Sequence, residues 1–401
     1  MKIGITFNFL RKGLSVSLIP LLNSVLSIVF FKIYIKNYSE VDLADLALIT
    51  SMATIVGSIN TLNINKALVL EKDDQSKASL VLTTFVLVSV SVLVSSGFFA
   101  FLDFQILTSF EAVVLGTLFV ITSAVFKISQ SLQLSRGKFT IQGNYILLSG
   151  QLNNFVRMIG TDARFLIYGL IMGNITGTLP IYRLIYNFKK KWSFINFKAD
   201  IIKAKDFISY NTLGELLYVL SIESVVFYLS IRYDAKVLGS FVFANSILRM
   251  ASNPFISVFS GMGLYEVANT ESLIHTIKRL IINVAVVMLS LVVIYLFREQ
   301  LNFCLELLVP IKWHYTISLI WLLYPIYAAS IALSPFSRIL EATRMQNISF
   351  YVHTLRFLLL LSFFGIFKGN FDTFIPLYVY LMLILNLPII LVIFLIFKKL
   401  K

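Results

Sequence analysis

Apolar runs of about 20 residues recur from one end of this chain to the other, separated by short polar segments. Coiled as a helix, a run of that length crosses ~30 Å of hydrocarbon. In that solvent an unpaired backbone N–H or C=O costs several kcal/mol, and a helix satisfies its backbone within each segment. Of the 401 residues, 58% are hydrophobic and only 13% are charged, where a soluble domain is about one quarter charged. Length alone would suggest two or three soluble domains of roughly 150 residues. Hydropathy overrides that expectation, and the chain reads as an all-α polytopic membrane protein.

Twelve spans are expected, near 14–35, 44–65, 78–102, 111–134, 143–162, 165–187, 207–230, 238–262, 280–297, 315–336, 348–367 and 374–397. The N-terminus, with Lys2, Arg11 and Lys12 before an apolar stretch that reaches Lys36, imitates a signal peptide. The stretch is too long for one and no small-residue cleavage pattern follows, so it is expected to be a retained first span. On the side of the termini, the segments between spans hold about 21 Lys and Arg, from Lys2 through Lys66, Arg136, the Lys189–Lys205 cluster and Arg338 to Lys401. The other side holds about 7: Lys36, Arg164, Arg232, Lys236, Arg298, Lys312 and Lys368. The positive-inside rule then places both termini in the cytoplasm.

The longest cytoplasmic segment, Phe188 to Asp206, is basic and lies near the midpoint. It divides the chain into 1–187, the linker 188–206, and 207–401. A faint repeat supports two six-span halves. Tyr38, Leu43, Ala44 and Glu71 match Tyr233, Leu238, Gly239 and Glu266 at a common shift of 195. Halves with an even number of spans make parallel repeats, related by an axis along the membrane normal.

Six charges lie inside apolar stretches: Lys127, Arg157, Glu215, Glu223, Arg249 and Arg356. Each costs about 2.5–3.5 kcal/mol at a bilayer centre, so such residues face a protein interior or a watery cavity. Four of the six are cationic, which points to a path for something anionic. Helical spacing gathers further polar residues into faces. Thr50, Thr54, Gly57, Ser58, Thr61 and Asn65 share one face of the second span, and Asn245, Arg249, Ser252 and Asn253 one face of the eighth. At the 195 shift, Thr50 matches Asn245, Thr54 matches Arg249 and Ser58 matches Asn253. Small polar residues also simply pack helices together, so the Thr/Ser/Gly face has two readings, whereas Arg249 in mid-span favours a lumen.

In the fourth span Ser123, Lys127, Gln130 and Ser131 form a face, and Lys127 is either a lumen cation or a snorkelling side chain. In the seventh, Asn211, Glu215, Tyr218 and Glu223 share an arc. Its acids either couple ions or neutralise Arg249. Arg157 and Arg356 are further lumen candidates, and His353 reads as a packed histidine.

The net charge of +14 is explained by the topology, so no nucleic-acid partner is expected. One cysteine, Cys304, allows no internal disulfide and no cysteine-based metal site. The sequence has no P-loop, metal-ligand spacing or nucleophile elbow. No enzyme, cofactor or metal is expected.

The stretch Tyr38-Ser39-Glu40-Val41-Asp42-Leu43-Ala44-Asp45-Leu46-Ala47-Leu48-Ile49, followed by Lys66-Ala67-Leu68-Val69, resembles the opening of polysaccharide-biosynthesis membrane proteins. Tyr233 to Ala244, with Gly263-Leu264-Tyr265-Glu266, is similar to the matching region of their second half. The chain departs from the pattern at Ala44, where a glycine is usual. With the twelve-span layout and midpoint loop, it resembles the O-antigen flippases (Wzx type) of the multidrug/oligosaccharidyl-lipid/polysaccharide (MOP) exporter superfamily. That resemblance implies two six-helix bundles in a V around a central basic cavity, working by alternating access in a bacterial inner membrane. The implied substrate is an undecaprenyl-diphosphate-linked oligosaccharide moved to the periplasmic leaflet for lipopolysaccharide biosynthesis. Arg249, Arg157, Arg356 and Lys127 would meet the diphosphate. Asn245, Asn253, Thr50, Thr54 and Gln130 would solvate sugars, and Glu215 or Glu223 would couple H+ or Na+. The lipid bilayer, a polysaccharide polymerase and chain-length machinery are the implied partners. Two alternatives are a drug/cation antiporter of the same superfamily, disfavoured by the basic interior, and an O-antigen polymerase or other membrane glycosyltransferase. The latter usually carries a large external loop, and the longest here, Arg298 to His314, offers only Glu299 and Glu306 as acids.

Overall fold

The computed structural model describes residues 22–64, 73–102, 104–135, 139–176, 194–205, 207–269, 288–342 and 346–386, with isolated positions between them. Among the described residues helix is the only extended secondary structure. In chain order the helices are α1 (22–34), α2 (Glu40–Ile59), α3 (Asp74–Ala100), α4 (Ser109–Ser135), α5 (Phe139–Ile159), α6 (Ala163–Ile175) and α7 (Phe194–Lys203). There follow α8 (Thr212–Arg232), α9 (Ala235–Asn269), α10 (Met288–Leu296), α11 (Arg298–Leu308), α12 (Ile317–Ala342), α13 (Gln346–Ile366) and α14 (Phe371–Ile384). Each of the twelve expected spans contains described helical residues, although 60–63 of the second and 160–162 of the fifth are not helical. Among the described residues six helices are long and apolar enough to cross a membrane unaided, or seven if the bent pair α10–α11 counts as one.

Helix α2 starts where its sequence allows a full cap. Ser39 Oγ accepts from Asp42 N, and Asp42 Oδ2 accepts in return from Ser39 N at 2.8 Å. That capping box satisfies donors left over by the first helical turn. At its other end α2 stops earlier than the apolar run does. Ile59 is its last residue, and Leu62 (φ 44°) and Asn63 (φ 56°) follow in the left-handed region. Asparagine tolerates that conformation, whereas leucine is strained there by about 1–2 kcal/mol. Asn63 there bonds through its side chain to α8. The expected eighth span, by contrast, continues as the single helix α9 through Pro254.

By contacts the chain separates into two compact units, residues 33–239 and residues 1–32 with 240–401. In the first, α5 packs on α6, α3 on α4, and α2 on α8, α4, α3 and α6. Helix α8 therefore packs with α2. Helix α7, inside the basic midpoint segment, docks on α3, where buried Asp200 accepts from Ser79 Oγ and Thr83 Oγ1, both at 2.7 Å. An apolar cluster of Ile64, Leu80, Val81, Val125, Ile128 and Ala204 lies beneath it. In the second unit α12 packs on α14, α13 and α11, and Phe243 stacks on buried Trp313 with ring centroids 4.4 Å apart.

Glycine permits two close approaches. A Cβ on Gly169 would lie 2.7 Å from Asn153 O, and one on Gly173 2.7 Å from Ser149 O, so this Gly-xxx-Gly edge of α6 lets α5 come close. A Cβ on Gly239, the second-half counterpart of Ala44, would lie 2.0 Å from Glu40 O. We expect Gly239→Ala to cost about 1–3 kcal/mol through overpacking against backbone. Its unfolding temperature in detergent should fall, while that of Gly97→Ala, whose Cβ meets nothing within 4 Å, stays level or rises.

Candidate functional site: polar faces and buried charges

Three of the expected site residues converge on α2. Glu223 is buried on α8, and its Oε2 accepts from Ser51 Oγ at 2.6 Å. One end of α8 meets the break after α2. With the Asn63 amide nitrogen turned to Glu215, Nδ2 donates to Oε2 at 2.8 Å and Oδ1 accepts from Thr212 N at 3.2 Å. That orientation satisfies both sides of the amide. From α4, Lys127 is half-buried and reaches across to α2, where Nζ donates to Gly57 O at 3.1 Å.

The polar stripe of α2 divides along its length. Thr50 Oγ1 donates to Leu46 O at 2.8 Å, Thr54 Oγ1 to Thr50 O at 2.6 Å and Ser58 Oγ to Ile55 O at 2.6 Å. Hydroxyls bonded back to their own helix carry polarity without an outside partner. Thr54 is exposed, whereas Gly57, Ser58 and Thr61 are buried, and Asn65 lies outside the described residues. Ser123 and Gln130 are half-buried near Lys127 on α4, and Ser131 is buried.

Arg157 is used differently. It is buried at the end of α5, where Nε donates to Leu166 O at 3.3 Å and Nη1 to Tyr34 OH at 3.1 Å. Its guanidinium carbon sits 5.7 Å from the centre of the Tyr34 ring, a cation–π contact. Tyr38 OH donates to Arg157 O at 2.7 Å, and burial pushes that phenol well above its usual range, so it stays a neutral donor. The guanidinium joins α5, α6 and the segment before α2.

In the second unit, Tyr327 OH on α12 donates to Asn245 Oδ1 on α9. Arg249 follows one turn later and is half-buried, with Ser252 buried and Asn253 exposed beyond it. Arg356 is buried on α13 with Nη2 3.6 Å from Met382 Sδ on α14, and His353 one turn earlier is half-buried. Lys127, Glu215 and Glu223 thus share α2 as neighbour, Arg249 and Asn245 share α9, and Arg157 and Arg356 are each packed between helices of their own unit.

Four contributors escaped the sequence reading. Ser51 lies one residue off the Thr50 face, Asn63 lies beyond the end of its helix, and Tyr34 and Tyr327 are single tyrosines in apolar runs. Only Asn63, beside Asn60 and Thr61, had a local polar signal. Among the described residues no group of three metal-ligating side chains occurs.

We expect Arg157→Ala to lower the unfolding temperature sharply, since it removes two hydrogen bonds of a buried guanidinium, to Leu166 O and Tyr34 OH, worth about 1.5–3 kcal/mol each. Thermal unfolding of the purified protein measures this, and an unchanged midpoint would contradict the clamp.

No family model matches the sequence, and no curated protein matches it. Solved structures do. An inward-facing multidrug-resistance MATE transporter of the MOP superfamily superposes with a TM-score of 0.64 at 11% identity, over 96% of this chain and 99% of that one. The lipid II flippase MurJ, in an inward closed conformation, gives 0.63 at 15% identity over 97% and 93%. A MOP-superfamily transporter from Pyrococcus furiosus, described as having a binding pocket of reversed polarity, gives 0.56 at 13% over 98% and 96%. The chain has the all-helical fold shared by the MATE and MurJ transporters of the MOP superfamily.

Proposed function

We propose that this protein is a flippase that moves an undecaprenyl-diphosphate-linked oligosaccharide from the cytoplasmic to the periplasmic leaflet of a bacterial inner membrane. The observation that carries this reading is Arg249, half-buried in mid-helix on a polar face of α9. A cation held there in apolar surroundings can offset the charge of a diphosphate, with arginine offering paired hydrogen bonds. Lys127 plays the corresponding part on α4. Asn245, Asn253, Thr54 and Gln130 serve sugar hydroxyls, while the polyprenyl tail remains in the bilayer. The likeness to a lipid II flippase supports a lipid-linked substrate, and in this reading the halves 1–187 and 207–401 act as the alternating repeats.

Glu215 is the coupling acid in this reading. It is half-buried, and Asn63 Nδ2 donates to its Oε2 at 2.8 Å. A drug or cation antiporter is the competing reading, since the MATE likeness and the two acids favour it.

Arg249→Ala is expected to reduce surface-polysaccharide display about 10- to 100-fold, the worth of one charged hydrogen bond at about 1.5–3 kcal/mol. Membrane level and unfolding temperature should not change, and Lys127→Ala should show a smaller loss. Full display with Arg249→Ala overturns the reading; drug sensitivity without loss of display would favour the antiporter. Glu215→Gln should abolish the response of display to a collapsed ion gradient while leaving the protein folded.

A further inference from the structure

Helix α11 is the largest amphipathic feature that the transport reading leaves unused. The chain turns by 80° between α10 and α11. Helical spacing puts Leu301, Phe303, Cys304, Leu305, Leu307 and Leu308 on one arc, interrupted by Gln300, and Arg298, Glu299, Asn302 and Glu306 on the other. Eleven residues make a helix ~16 Å long, about half the ~30 Å of a hydrocarbon core. One flank of α11 is fastened to α12: Leu301 and Leu305 are half-buried, and Asn302 Oδ1 accepts from Trp321 Nε1 at 2.6 Å. The rest of its apolar arc is uncovered, with Phe303 65% and Leu307 55% exposed.

We propose that α11 lies along the membrane surface, its apolar arc inserted at the headgroup–acyl boundary of the phospholipids and its charged arc in water. Three environments compete for this helix. Water would leave Phe303 and Leu307 exposed to it. The hydrocarbon core would strip water from Arg298, Glu299 and Glu306, at a few kcal/mol each. The boundary alone suits both faces.

The neighbours of α11 include an aromatic group. Tyr295 lies 5.9 Å from Tyr324 and 6.3 Å from Trp321, ring centre to ring centre, and the latter two are 5.6 Å apart. The Arg298 guanidinium sits 5.1 Å from the Tyr295 ring centre, and its Nη1 donates to Tyr295 OH at 2.9 Å. Tyr295 and Arg298 close the expected span 280–297, and tyrosine concentrates at membrane–water interfaces, where its apolar body and polar tip are both accommodated. The 80° turn places α11 across the direction of α10, so a spanning α10 leaves α11 near the membrane plane. This inference stands whatever substrate the protein carries.

Cys304 is the only cysteine, is exposed, and belongs to the apolar arc, so the natural protein carries its own reporter. An environment-sensitive fluorophore on Cys304 would be read in phosphatidylcholine–phosphatidylglycerol vesicles containing nitroxide lipids. Stronger quenching by a nitroxide near the headgroup than by one deep in the acyl chain is the expected result. In Cys304→Ser/Glu306→Cys, the label on the opposite arc should instead respond to aqueous iodide. Stronger quenching of the Cys304 label by the deep nitroxide would make α11 part of a broken span. Equal iodide quenching at both positions would make it a water-exposed loop. Either result overturns the proposal.

Discussion

Backbone donors at helix ends have few partners at the edge of a membrane, and in this protein one helical turn supplies many of them. The first turns of α2 carry Asp42 and Asp45. Asp42 closes its own capping box and also accepts from Ala163 N at 2.8 Å, at the start of α6. Asp45, fully buried, accepts from the backbone N–H groups of Gln105, Ile106 and Leu107 at 3.0, 2.8 and 3.1 Å, which holds the turn between α3 and α4. Tyr38 adds its bond to Arg157 O. The stretch from Tyr38 to Asp45 thereby fixes three helical hairpins, and it is the stretch that carries the resemblance to polysaccharide exporters. Charged acceptors binding N–H groups are worth more than neutral ones.

Fixed in this way, α2 presents its length to α4 and α8. The charges buried in the chain then divide by neighbourhood. Arg157 helps hold α5, α6 and Tyr34 together, and Arg356 is packed against α14. Glu223 is joined to Ser51, Glu215 to the broken end of α2, and Lys127 to the Gly57 carbonyl. Arg249 lies half-buried on the polar face of α9. The proposed transport needs charges of both kinds. Some must hold each bundle rigid, and others must exchange protein partners for substrate or ion.

Much of the fold was legible because twenty-residue apolar runs have few alternatives to helix in a membrane. The polar stripes were legible from spacing alone. Contacts that depend on close approach were not. Arg157 reads as a lumen cation until α5 and α6 are seen to meet through Gly169 and Gly173, which brings Leu166 O within reach. Ser51 stands off the predicted face because α8, rather than a lumen, covers that side of α2. The early end of α2 had no apolar signal, since Leu62 adopts a left-handed conformation that its side chain disfavours. The midpoint segment read as a basic linker, and α7 docks there through Asp200, an acid outnumbered by lysines in sequence.

The central claim is that this fold carries an anionic, lipid-linked sugar across the bilayer. The direct measurement uses purified protein in vesicles holding a polyprenyl-diphosphate-linked oligosaccharide on the inner leaflet only. Access of that sugar to a membrane-impermeant lectin outside is followed under an imposed ion gradient. The account predicts protein-dependent appearance of the sugar at the outer surface, unchanged in chain length. No appearance above protein-free vesicles, or the formation of longer chains, would contradict it.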